Sequence, residues 1–117
     1  MQRLSCALIS LTAAFLVAGC QSNEAFHASI SRATIDISKG RLEQARSTLH
    51  EADSLASAPG DRQKVEDLNA VVDGAEAMIN GDSMSAAIAW SNVQDDQLRW
   101  QLQREAEAMG LQLDSNN

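Results

Sequence analysis

The first candidates for chemistry are the thiol of Cys20 and the imidazoles of His27 and His50. Neither histidine has a second histidine, a cysteine or a carboxylate at a metal-ligand spacing such as His-Glu-x-x-His. His50, which Glu51 and Asp53 follow, is typical of a solvated helix face. The histidines therefore predict no metal site, and Cys20 is left as the residue whose surroundings need explaining.

Other catalytic patterns are missing from the sequence. It has no glycine-rich loop after a strand, and none of its serines lies in Gly-x-Ser-x-Gly. The acidic groups Glu66-Asp67, Asp95-Asp96 and 105–107 are interpreted as solvated surface charge. A domain this small also offers little concave volume for a buried active site. We expect no enzyme activity, no catalytic residue, no metal and no cofactor.

Cys20 ends an apolar segment. Arg3 gives a positive start, and the 16 residues from Leu4 to Gly19 carry no charge. This pattern is typical of a secretory signal with a basic start and an apolar centre that ends in small residues. A retained membrane anchor is the alternative, but 16 residues are fewer than the roughly 20 that span a hydrocarbon core. The sequence predicts a signal peptide at 1–19 that is removed.

Val17, Ala18, Gly19 and Cys20 resemble the lipobox of bacterial lipoproteins, in which an aliphatic residue and two small residues precede a cysteine. The resemblance implies cleavage between Gly19 and Cys20 and a thioether from Cys20 to diacylglycerol. It also implies an N-acyl group such as palmitate on the new amino terminus. Two or three chains hold a protein stably on a membrane, whereas one chain alone binds weakly. An ordinary cleaved signal with a cysteine nearby is the alternative.

The residue after the cysteine bears on location. By the same resemblance, an aspartate there favours retention in the inner membrane, and this chain has Gln21. The resemblance therefore implies an outer-membrane lipoprotein that faces the periplasm.

The chain has 117 residues and a formal net charge of −7, and the 98 residues from Cys20 onward carry −8 because Arg3 is lost. Such an acidic domain has no cation cluster for nucleic acid and no basic patch for anionic lipid. Cys6 leaves with the signal, so no intramolecular disulfide is possible and the core alone must hold the domain. Membrane attachment then depends on the lipid of Cys20.

The rest of the chain has helical spacing throughout and one proline, Pro59. Residues 20–25 are interpreted as a lipidated tether, 26–110 as one helical domain, and 111–117 as a frayed tail. Ser57 to Asp61 is the strongest turn signal, and Gly40 is a predicted left-handed helix C-cap. The fold prediction is all-α, with about five antiparallel helices after a signal peptide. The predicted helices are Phe26–Ser38, Arg41–Ala56, Arg62–Asn80, Ser83–Asn92 and Asp96–Met109.

Two segments 41 residues apart share a pattern: a glycine is followed at offsets five, nine and twelve by apolar residues. The pattern resembles the second half of a tetratricopeptide repeat, although the family's spacing is about 34 and Asp36 stands where an aromatic residue is usual. The resemblance implies two helical hairpins and a C-terminal capping helix; an unrelated helical bundle is the alternative. The predicted packing residues are Gly40, Ala45, Leu49, Ala52, Gly81, Ala86 and Trp90, with Val93 at the last position.

The resemblance implies a binding function, because two hairpins form a shallow groove for a peptide or a helix. Trp90 and Trp100 are candidate contact residues, but Trp90 shares a face with Ala86 and is interpreted mainly as core. Trp100 lies off the apolar stripe of its helix. The main hypothesis is an envelope adaptor that binds a protein partner and no nucleic acid. The alternative is a self-associating structural lipoprotein without a groove.

Overall fold

The computed structural model describes residues 14–110 and 113, with side chains from residue 24 onward. The predicted all-α class is confirmed, and no strand occurs in this part of the chain. The predicted signal before residue 14, the side chain of Cys20 and the tail apart from Leu113 lie outside the described residues. The five helices are α1 (Ala14–Ser38), α2 (Leu42–Leu55), α3 (Pro59–Ile79), α4 (Ser83–Ser91) and α5 (Asp96–Ala108).

The first helix differs most from its predicted bounds. It begins at Ala14 rather than near Phe26, so its backbone runs through the stretch 20–25 that the sequence assigns to a tether. No proline or glycine lies between Cys20 and Phe26 to end the helix, and the one glycine before them, Gly19, costs only about 1 kcal/mol in a helix interior. Polarity alone therefore does not interrupt helical structure here.

The third helix also begins earlier than predicted. Pro59 is its first residue, so the Ser57–Asp61 segment is a helix start rather than a separate turn. Proline suits this position because the first helical N–H has no partner within the helix. The Asp61 carboxylate accepts the backbone N–H groups of Ser57 (3.1 Å) and Ala58 (3.0 Å). These two bonds hold the pKa of Asp61 below its usual value.

Two glycine turns give the helices their order in space. Gly40, as predicted, and Gly81 both adopt left-handed backbone with φ of 78°. Each turn has a glycine after the helix end and a bond from the next residue back to a carbonyl five positions earlier, which is a Schellman motif. The connections hold only three residues, so α1–α2 and α3–α4 are antiparallel hairpins. The two backbone bonds, both 2.8 Å long, are Arg41 to Asp36 and Asp82 to Ala77.

The core lies around α3, which contacts α1, α2 and α4. One face of α3, with Val65, Leu68 and Val72, is buried as its spacing predicts. The same three–four spacing in the sequence predicts Ile79 on that face, but Ile79 is 72% exposed, because it is the last residue of the helix. The predicted face is therefore correct except at its end.

An ion-pair cluster joins α2 to α3. The Arg46 guanidinium donates to both carboxylate oxygens of Glu76, at 2.9 and 3.3 Å, and also to Asp73. These bonds raise the pKa of Arg46 and lower that of Glu76. All three side chains are partly exposed, so the cluster fixes the orientation of the two helices more than it stabilises them.

Candidate functional site

The predicted repeat-packing residues lie in the core or at the turns. Gly40 and Gly81 form the two turns, and the side chains at the three later positions of each segment are buried. They pack the hairpins internally, so these side chains are not themselves exposed to a partner. The buried side chains are Ala45, Leu49 and Ala52 from the first segment and Ala86, Trp90 and Val93 from the second.

Trp90 packs directly on the backbone of α3. Its indole Nε1–H donates to the carbonyl oxygen of Val71 over 3.1 Å. A Cβ at Gly74 would lie 2.1 Å from the same Nε1, a distance that no pair of such atoms tolerates. Gly74 is thus where α4 approaches α3, and Trp90 is a core residue.

Trp100 is 56% exposed, on the side of α5 away from its buried residues Leu102 and Ala106. The guanidinium carbon of Arg104, one helical turn later, lies 5.0 Å from the centre of its ring. An exposed cation–π pair contributes about 0.5–1 kcal/mol. The pair favours one orientation of the indole at the surface, and the contact of Trp100 with a partner stays a prediction.

A groove of about 460 Å³ opens between α1, the first half of α3, and α5 with the loop before it. Its apolar floor consists of Ile30, Leu68 and Leu98, one residue from each helix. We call it the glutamine groove, because four of its polar lining residues are Gln63, Gln94, Gln97 and Gln101.

One buried carboxylate positions the far wall of the groove. Asp67 of α3 is 4% exposed and accepts the backbone N–H groups of Gln94 (2.9 Å) and Asp95 (3.0 Å). It also accepts from the side-chain amide of Gln63 over 3.1 Å. These bonds fix the loop in which α5 begins, and Asp95 then caps α5 by accepting the N–H of Leu98 over 2.9 Å.

The prediction that Asp67 is surface charge is therefore wrong, whereas Glu66 beside it is exposed. A signal for Asp67 was present in the sequence. Asp67, Val71 and Gly74 follow one another at steps of four and three, and together they form a second buried face of α3 that meets α4 and the loop after it. A helix with two such faces is central in its fold.

The groove presents mainly amides. Both oxygens of Asp67 and one oxygen of Asp95 accept hydrogen bonds within the protein, and the hydroxyl of Thr34 donates to the Ile30 carbonyl over 2.9 Å. The side chains of Gln94, Gln97 and Gln101 have no hydrogen-bond partner among the described residues. Each carboxamide offers two donors and an acceptor. The one cation in the lining is Lys64, which is exposed.

Comparison with protein-family models, with curated proteins and with solved structures finds no match to this chain. Lipobox and tetratricopeptide likeness therefore stay predictions from the sequence. In the part of the chain that the structure describes, no helix has the length and hydropathy for a membrane span. Among the same residues, no three His, Cys, Asp or Glu side chains are grouped to hold a metal ion.

Proposed function

We propose that the protein is a lipid-anchored adaptor whose glutamine groove binds an extended, uncharged segment of a protein partner in the bacterial envelope. The observation that carries the binding half of this proposal is the groove itself: an apolar floor beneath three glutamine amides, those of Gln94, Gln97 and Gln101, that have no partner among the described residues. The anchoring half depends on the sequence before and at Cys20.

Lipid attachment explains how a domain with a net charge of −8 stays at an anionic membrane surface. Each buried methylene contributes about 0.8 kcal/mol, so two acyl chains on Cys20 outweigh electrostatic repulsion. The absence of an aspartate after Cys20 supports the outer membrane, with the domain in the periplasm.

The spacing of the glutamines suits an extended peptide. Gln97 and Gln101 are one helical turn apart, a rise of about 6 Å. Two residues of an extended strand advance about 6.6–6.8 Å, and every second residue presents its backbone N–H and C=O groups to the same side. Consecutive amides of α5 can therefore pair with successive outward groups of one strand. An apolar side chain of the bound peptide would then pack on the floor formed by Ile30, Leu68 and Leu98.

Charge disfavours an acidic segment and does not require a cationic one. The surface is acidic and repels an acidic ligand. Asp67 is buried with both carboxylate oxygens hydrogen-bonded within the protein, so it has no oxygen left to pair with a cation in the groove. A neutral segment avoids the repulsion and matches the amides of the lining.

The anchor is tested by Cys20→Ser in cells supplied with labelled palmitate. We expect loss of the label and release from the membrane fraction, while Cys6→Ser, a matched control, keeps both. Retention of label and membrane attachment by Cys20→Ser contradicts the lipobox interpretation.

The groove is tested with a photoreactive amino acid at Gln101 or, as the control, at the exposed Gln44 of α2. We expect a cross-linked partner from position 101 only, and we expect Gln97→Ala in the same chain to reduce its yield. Equal yields from both positions, or a yield that Gln97→Ala leaves unchanged, contradict a binding role for the groove. A homo-oligomer that buries the groove would favour the structural alternative.

A further inference from the structure

We infer that the outer face of α4 is a contact between two copies of this chain, formed when the chains are confined to a membrane. The confinement rests on the anchoring proposed above. The face consists of Met84 and Ile88, which are 74% and 60% exposed. We call it the α4 outer face.

The internal repeat supplies a control for this face. Residues 41 positions earlier occupy the corresponding places in α2, after a turn of the same geometry. These residues are Glu43 and Ser47, and both are exposed, like their counterparts in α4. The exposure is the same in both hairpins, but only the second hairpin places apolar side chains there. The fold therefore does not require apolar residues at these positions.

The two side chains form one continuous strip. Met84 and Ile88 are four residues apart and so lie on the same side of α4. Met84 lies two positions before the buried Ala86, and Ile88 lies two positions before the buried Trp90. Two positions are slightly more than half a helical turn, so each exposed residue is on the side of the helix opposite its buried neighbour. The strip thus points directly away from α3, and no described helix covers it.

A second copy is the occupant that membrane anchoring keeps beside this face, and charge makes the face the place where it can approach. Two copies of the domain, each at −8 from Cys20 onward, repel each other wherever acidic surfaces meet. The nine residues of α4 include no charged side chain, so copies that meet through this helix repel each other less than they would through the acidic surfaces. A two-fold axis would place Met84 of each copy against Ile88 of the other, with the small residues Ala87 and Ser91 at the margin.

The size of the face predicts when the contact forms. A nine-residue helix is about 13.5 Å long, so a pair of such helices buries far less than the roughly 1,000 Å² of a stable interface. Such a dimer is weak in dilute solution. Holding both copies on one surface raises their effective concentration toward millimolar, which makes a weak contact observable.

The experiment uses the full chain with a photoreactive amino acid at Ala87, compared in dilute detergent and in phosphatidylcholine vesicles. The control places the same amino acid at Ser47, on the corresponding side of α2. We expect a covalent dimer from position 87 in vesicles, with a yield at least about tenfold above that in detergent. We expect little dimer from position 47 in either medium.

A double variant, Met84→Glu with Ile88→Ser, places in α4 the residue types that α2 has at the corresponding positions, Glu43 and Ser47. We expect it to lose the dimer and to keep its helical circular dichroism, because both side chains are exposed. Ile88→Ser alone is the second variant if the double variant unfolds. Equal dimer from positions 87 and 47, dimer that survives both variants, or adducts to phospholipid in place of a second chain would each overturn the inference.

The mass of the same purified chain reports its acyl groups and so tests the anchor separately. An unacylated chain that still gives the dimer in vesicles contradicts the anchor proposal and supports the α4 contact. An acylated chain without the dimer contradicts the α4 contact alone.

Discussion

The two hairpins share their backbone turns but differ in how they fill the space between their helices. In the second hairpin, Gly74 of α3 gives room for the indole of Trp90 in α4. In the first, the residues 41 positions earlier are Ala33 and Leu49, and both are fully buried. Both hairpins pair a small residue with a large one at these places. The second hairpin has the smaller small residue, glycine, and the larger large residue, tryptophan. The pair, rather than either residue, determines how closely the helices approach.

The hairpins also differ at a third buried position. Phe26 in α1 is an apolar core residue, whereas Asp67, at the corresponding place in α3, is a buried hydrogen-bond acceptor. The first residue only fills space, while the second fixes the loop that leads to α5. The second hairpin therefore carries both the groove wall and the α4 outer face, and the first hairpin carries neither feature at the matching positions.

The largest expected effect comes from Gly74→Ala. Its Cβ would overlap the Trp90 indole, and the resulting shift of α4 should lower the free energy of unfolding by about 3 kcal/mol in chemical denaturation. Gly60→Ala in the same helix is the control, because nothing lies within 4 Å of a Cβ there.

Adding Trp90→Leu to Gly74→Ala reproduces the pair of the first hairpin. We expect the double variant to be more stable than the sum of the two single losses predicts, by about 1–3 kcal/mol, because the smaller side chain removes the overlap. Strict additivity in this double-mutant cycle would show that the two hairpins do not pack equivalently.

Asp67→Ala should lower the free energy of unfolding by about 2 kcal/mol, because it leaves two partly buried backbone N–H groups without their acceptor. Hydrogen exchange should accelerate most at Gln94 and Asp95. Glu66→Ala, at an exposed neighbour, should change stability by less than about 0.5 kcal/mol. Unchanged exchange at Gln94 and Asp95 in Asp67→Ala would contradict its role as the anchor of the groove wall.

Gly40→Ala and Gly81→Ala should each lower the free energy of unfolding by about 1 kcal/mol. Both glycines have a φ of 78° with open space around them, so the loss comes from backbone strain alone. Thermal or chemical denaturation should show equal losses within error. A clear inequality would mean that the two turns are not the same.

The smallest expected effect is a pH dependence confined to the second hairpin. Asp82 caps α4 by accepting the N–H and hydroxyl of Ser85, and these bonds lower the pKa of Asp82. The corresponding residue of the first hairpin is Arg41, which makes no side-chain cap. A lowered folded-state pKa means that the cap stabilises the fold above the ordinary aspartate pKa of about 3.9 and is lost as the pH falls below it.

The melting temperature measured from pH 7 to pH 3 should therefore fall less steeply for Asp82→Ala than for the unaltered chain. Both chains will still lose stability in acid, because Asp61 also has a lowered pKa. Parallel curves would contradict an acid-sensitive cap at Asp82.

Local patterns predicted most of the helices. The spacing of Leu42, Ala45, Leu49 and Ala52 defines one buried face, and the glycines mark the turns, so the bounds of α2, α4 and α5 differ from prediction by at most one residue at each end. These features depend on residues within a turn or two of each other. Periodicity is sufficient to find them.

Features that join distant residues were not predictable in this way. Asp67 receives its backbone bonds from residues 27 and 28 positions later, and no local pattern shows that the loop will reach it. The glutamine groove combines Ile30, Gln63 and Gln101 from three helices. The set of residues that line the groove can be identified only once the second buried face of α3 is known.

The Gly74–Trp90 contact also restricts the order in which such a sequence can change. A hairpin with alanine and leucine at this crossing cannot acquire the tryptophan first, because the indole would meet the alanine Cβ. It can acquire the glycine first, which leaves a gap the size of one methyl group and costs about 1 kcal/mol. The tryptophan can then fill that gap, and afterwards the glycine can no longer revert alone. One interatomic distance thus allows one order of the two substitutions and blocks the other.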